Sequence, residues 1–130
     1  MPKDKNKSLN KYYKQYEKET NMSYSELLNW SKKNISKTAS VKPSEESTQA
    51  RKERKRLLED YVPKNKKSLF KSFNTAQIRN LVLQSTPKSK WDDFLISQAK
   101  KAVSYLSRAK AMKGKINKRA LKNWAFDRDK

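Results

Sequence analysis

Nine lysine or arginine side chains lie between Phe94 and Phe126, and no aspartate or glutamate interrupts them. They are Lys100, Lys101, Arg108, Lys110, Lys113, Lys115, Lys118, Arg119 and Lys122. Cations at this density, threaded among Tyr105, Trp124 and Phe126, suit one kind of chemistry: neutralising a polyanion and releasing its condensed counterions. A solvated helix face ordinarily mixes both signs of charge, and an acid-free run carries a repulsive cost that folding does not explain. A second basic block, Arg51, Lys52, Arg54, Lys55 and Arg56, is followed by Lys64, Lys66 and Lys67. It has the composition of a phosphate-contacting helix or a nuclear localisation signal, and equally of a plain solvated helix, because Glu53 and Glu59 dilute it and can form local pairs.

The bias belongs to the whole chain, where 33 Lys plus Arg face 13 Asp plus Glu and give +20 over 130 residues. Nucleic acid is the leading partner class, DNA ahead of RNA, with acidic protein surfaces and other subunits of an assembly beside it. Lysine outnumbers arginine by 26 to 7. A flexible, strongly hydrated ammonium suits backbone contact, whereas bidentate reading of guanine requires the planar fork of arginine, so binding is expected to be largely independent of sequence. Only 34% of the residues are apolar. At this charge a large private core is not expected, and ordering by partners in an assembly is.

The missing residues exclude most catalysis. There is no Cys and no His, which removes disulfides, thiol nucleophiles, imidazole bases and Cys/His zinc sites. A single glycine, Gly114, cannot build a phosphate-cradling loop. Six of the 13 carboxylates come as the neighbours Glu45/Glu46, Glu59/Asp60 and Asp92/Asp93, which point about 100° apart on a helix and cannot flank one reacting bond. The expectation is a non-enzymatic protein with no cofactor and no metal. No stretch approaches the roughly 20 apolar residues of a membrane span, and the N-terminus lacks the apolar centre of a signal peptide. The chain therefore reads as intracellular or packaged inside a particle.

The elements that must position these cations are helices. The expected fold is all-α: an extended chain of about six helices joined by short linkers around a small core, in segments 1–43, 44–88 and 89–130. Leu9, Tyr12, Tyr13 and Tyr16 fall at i, i+3, i+4 and i+7 on one stripe of a helix ending near Lys18. Three further starts share one device, an apolar residue before the N-cap that meets another at the fourth helical position: Met22 with Leu27, Phe73 with Ile78, and Ile116 with Leu121. Glu26 and Gln77 complete capping boxes with Ser23 and Asn74. Residues 35–43 read as a linker. Ser44 then caps a helix running to about Tyr61, whose charged N-terminal half is expected to project or to lie along a partner. A lysine-rich loop carrying Lys64, Lys66 and Lys67 is expected between this helix and the one that Asn74 caps.

The longest element is expected from Lys90 to Lys113, about 36 Å, capped by Ser89 and closed by Gly114. Trp91, Leu95, Ala102, Leu106 and Ala109 share one side of it; Ser97, Lys100, Lys101, Ser104 and Arg108 share the other. A last helix from Lys118 to Phe126 turns Leu121 and Trp124 toward the same core. Trp30, Trp91 and Trp124 suggest platforms for unpaired bases, but apolar stripes make core or protein interface the better reading. The Tyr12, Tyr13 and Tyr16 stripe reads as an interface anchor.

The segment AKKAVSYLSRAKAMKGKINKRALKNWAFD, from Ala99 to Asp127, resembles the tail of small lysine-rich proteins of large double-stranded DNA viruses. The resemblance covers about a quarter of the chain and implies a virion component, placed in the interior or on the inner face of the capsid. The expected function is a basic structural protein binding nucleic-acid backbone. A minor capsid or cement protein that binds acidic coat surfaces is the alternative, and a ribosome-associated subunit is another. Outside a virion, the nucleus or nucleoid is the expected location.

Overall fold

Every residue from Gln77 to Leu83 is buried. A helix buried on consecutive positions is covered on all sides, so this segment is the centre about which the chain is organised. The computed structural model describes residues 2–33, 47–112 and 118–129, with no account of the side chains of residues 2–6, Lys118 and Arg119. The described residues form seven α-helices: α1 (Pro2–Glu19), α2 (Tyr24–Lys32), α3 (Thr48–Asp60), α4 (Lys64–Phe70), α5 (Thr75–Ser85), α6 (Asp93–Ala111) and α7 (Lys118–Lys122). A 3₁₀ turn spans Lys88–Lys90, and the described residues contain no strand. None of these helices is long and apolar enough to cross a membrane.

The two capping boxes form as their spacing requires. Ser23 and Glu26 exchange side-chain and backbone bonds at the head of α2, and Asn74 and Gln77 do so at the head of α5. Their apolar staples, Met22 with Leu27 and Phe73 with Ile78, are all buried. Around α5 pack α2, α3 and α6, while α1 lies along α6. The main core runs from Tyr16 through Leu27, Leu57, Phe73, Leu81 and Leu95 to Ala125. A small second cluster joins Leu106, Ala109 and Leu121, with Tyr105, Trp124 and Phe126 against it.

Four details differ from the sequence reading, the first being that the last helix ends at Lys122, short of Phe126, because Ala125 N and Phe126 N turn back onto Lys122 O and Leu121 O. The long helix is capped by Asp92, whose carboxylate accepts from Leu95 N at 2.9 Å, and Ser89 sits in the 3₁₀ turn before it. The shift follows from Trp91, which is buried and donates its indole N–H to Thr86 O, pinning the extended backbone that must precede the cap. The lysine-rich loop contains a helix, α4, because Pro63 opens it and Phe70 anchors its end in the core. The charged half of α3 does not project. Glu53 is buried, and Arg54 donates to Phe73 O and Lys71 O at 2.6 and 2.8 Å. The linker 35–43, the Ser44 cap, Gly114 and the Ile116 staple lie outside the described residues; Ser47 caps the described part of α3 through Ala50 N.

Candidate nucleic-acid interface

On α6, Lys100, Lys101, Ser104 and Arg108 fall at i, i+1, i+4 and i+8, which brings them to one side of the helix. That side is exposed, while Ala99, Ala102, Leu106 and Ala109 bury the opposite side. The four polar residues, with Tyr105, line a groove of about 360 Å³. Two residues distant in sequence complete it: Arg79 from α5 and Trp124 from the turn after α7.

The aromatic part of the groove is a preformed pair. Tyr105 and Trp124 stack with ring centroids 4.3 Å apart and planes 19° apart. Trp124 is placed by the C-terminal cap of α7, where Phe126 N donates to Leu121 O and Ala125 N to Lys122 O, the paired bonds of a Schellman motif. Such a motif requires a left-handed residue, and Ala125 supplies it with φ of 63°. Glycine is the usual occupant of this position; here the alanine methyl is fully buried. Burial raises the Tyr105 hydroxyl above its ordinary pKa of 10.0.

The electrostatics are organised by one buried carboxylate. Glu53 accepts from Arg79 at 3.2 Å and is also bonded to Lys101. Burial pushes the Glu53 carboxyl up, but the Lys101 hydrogen bond and the Arg79 charge outweigh it and hold the group below its ordinary value. The Arg79 guanidinium also donates to Gln98 Oε1 at 2.6 Å and lies 5.2 Å from the Trp124 ring centroid. Lys101 is thus partly neutralised. Lys100 and Arg108 have no carboxylate partner among the described residues; Lys100 rests 4.9 Å over the Tyr12 ring, and Arg108 Nε donates to Ser104 O.

The sequence-derived basic residues divide accordingly. Lys110 is committed internally, donating to Glu19 O and Oε2 at 2.7 Å each and lying 4.2 Å over the Phe126 ring. Lys122 lies 4.7 Å over the Trp30 ring and 3.9 Å from Asp127 Oδ2. Both are half-buried. Lys113 and Lys115 lie outside the described residues, as do the side chains of Lys118 and Arg119.

On α3, Arg51, Lys52 and Lys55 are exposed, and Arg56 lies 4.1 Å over the Phe94 ring. Arg56 meets Phe94 while Glu53 meets Lys101, so side chains of α3 reach α6 and the two basic patches adjoin across Glu53.

The aromatics read as core or interface are chiefly core. Trp30 and Trp91 are buried, with Leu95, Leu106 and Leu121. The tyrosine stripe anchors α1 within the chain: Tyr13 and Tyr16 meet Trp91 edge-on, and the buried Tyr16 hydroxyl donates to Asn80 Oδ1 at 2.7 Å. Tyr12 is half-buried beside them. Sequence reading passed over Arg79 and the burial of Glu53. A single arginine inside the otherwise uncharged run from Thr75 to Ser85 was the available signal.

Comparison of the chain with protein-family models, curated proteins and solved structures finds no match.

Proposed function

We propose that this is a non-enzymatic, basic structural protein that binds nucleic-acid backbone through the outward side of α6, as part of a larger nucleoprotein assembly. The observation that carries the reading is the gathering of Lys100, Lys101, Ser104 and Arg108 along one groove, with Lys100 and Arg108 lacking an acidic partner among the described residues. Ammonium and guanidinium groups spaced along one helix side can meet successive phosphates, and the serine hydroxyl adds a neutral donor. Exposed Arg51, Lys52 and Lys55 on the adjoining helix extend the positive field. Lysine-dominated contact favours binding without sequence preference. The likeness of residues 99–127 to lysine-rich virus proteins supports a virion as the assembly and DNA as the polymer.

Filter binding to duplex DNA across a salt series tests this. A steep linear fall of log affinity with log salt is expected, and replacing both Lys100 and Arg108 by alanine should flatten the slope by about 2. Absence of binding at low salt would overturn the reading and leave cationic docking on acidic coat subunits in its place.

A further inference from the structure

We propose that the α6 groove takes an unpaired base, so that the protein prefers single-stranded over double-stranded nucleic acid. The inference rests on the nucleic-acid reading above and names the form of the polymer.

Backbone contact alone needs only exposed cations on a flat or convex surface. This groove has more than that. Its rim carries Lys100, Lys101 and Arg108, and its lining includes the stacked rings of Tyr105 and Trp124. A duplex closes the faces of its bases within its own stack and offers phosphates and groove edges to a protein. An aromatic lining between cations is of use to a ligand that presents phosphates and an open π-face together, which describes a single strand. The volume of about 360 Å³ lies within the range of small-molecule sites, large enough for one base.

The rings are held ready for this. Trp124 is fixed by the α7 cap and held between Tyr105, stacked on it at 4.3 Å, and the Arg79 guanidinium, 5.2 Å from its ring centroid, so it backs Tyr105 instead of offering a face of its own. Tyr105 is half-buried and sits on α6 one residue after Ser104 and three before Arg108. A base stacked on the face of Tyr105 turned away from Trp124 has its flanking phosphates beside Lys101 and Arg108, which stand four residues before and three after Tyr105 on the same helix. Charge complementarity selects this occupant over an apolar peptide, since every charged residue lining the groove is a cation.

Fluorescence anisotropy of the full chain tests the preference, using labelled oligodeoxythymidine, labelled oligouridine and a duplex of equal length at one salt concentration. The single strands are expected to bind roughly tenfold tighter than the duplex, the size of one base–aromatic stack. The two single strands separate DNA from RNA as the source of the base. Binding should also quench tryptophan emission through Trp124, because Trp30 and Trp91 are buried. Tyr105→Ala should bring the ratio of single-strand to duplex affinity toward one. Tyr105→Leu, which keeps the packing against Leu106 and Leu121, gives the same readout if the alanine variant fails to fold. Duplex binding as tight as or tighter than single-strand binding overturns the inference and leaves the proposed function standing. A folded Tyr105→Leu protein with the full preference also overturns it. Failure to bind any of the three polymers removes both.

Discussion

Asn21 and Asp127, 106 residues apart, bond to each other in both directions: Asn21 Nδ2 donates to Asp127 O at 2.8 Å, and Asp127 N donates to Asn21 Oδ1 at 2.7 Å. Beside them, Asn21 N and Met22 N both donate to Ala125 O, at 3.0 and 3.2 Å. The α1–α2 connection is thereby tied to the turn that presents Trp124. Asn21→Ala is expected to lower stability by about 1–3 kcal/mol, the cost of leaving paired backbone groups unsatisfied. Urea unfolding followed by circular dichroism measures it.

Ala125 tests the cap itself. Glycine at this position relieves the left-handed backbone but removes a buried methyl, so Ala125→Gly is expected to change stability by less than about 1 kcal/mol. Ala125→Val places a β-branched residue at φ of 63° and should cost well over 1 kcal/mol, with Trp124 emission shifting as the turn rearranges. Equal melting temperatures for the glycine and valine variants would contradict this account.

Glu53 neutralises a buried arginine, and its removal takes the carboxylate away from the Arg79 guanidinium. Glu53→Gln is expected to destabilise by about 3–5 kcal/mol. The same group gives an acid dependence. Its carboxyl is held below the ordinary 4.5, so its stabilisation is present above that value and is lost as pH falls toward the lower folded value. Thermal melting from pH 6 downward should show this decline in the wild type and a weaker one in Glu53→Gln.

Tyr61 and Tyr16, with Tyr105, contribute an alkaline limit. Burial, followed by the hydrogen bond to Asp92, pushes the Tyr61 hydroxyl up to about 12, and complete burial raises Tyr16 well above its ordinary value. The unfolded chain loses these protons near pH 10 while the folded chain keeps them, so stability is expected to fall as pH rises above about 10. Tyr16→Phe should reduce that slope. It also removes the bond to Asn80 and lowers stability near neutrality by about 1 kcal/mol.

Lys110 and Lys100 separate structural from binding cations. Lys110 closes the C-terminal end of α1 through Glu19 O, where a cation also meets the negative end of the helix dipole. Lys110→Met should lower the melting temperature and leave the salt slope of polymer binding unchanged. Lys100→Met should do the reverse, flattening the slope by about 1.

The helices were legible where local chemistry decides them. The capping boxes at Ser23 and Asn74 need only a hydroxyl or amide and a partner three residues on, and the Leu9, Tyr12, Tyr13 and Tyr16 stripe is a matter of spacing. The start of α6 was legible only in part, because the choice between Ser89 and Asp92 depends on where Trp91 is buried and on the Thr86 carbonyl that receives its indole proton.

For the site, the sequence alone determined the sign of the surface, the all-helical architecture and the side of α6 on which Lys100, Lys101, Ser104 and Arg108 stand. Helical periodicity and formal charge are properties of nearby residues, readable without a partner. Tertiary structure decided which cations are spent internally. Lys110, Lys122 and Arg54 point to atoms supplied from Glu19, Asp127 and Phe73, and Arg79, which lines the groove, is bonded there to Glu53, 26 residues away. Contacts of that reach depend on how helices pack, and no local pattern encodes them.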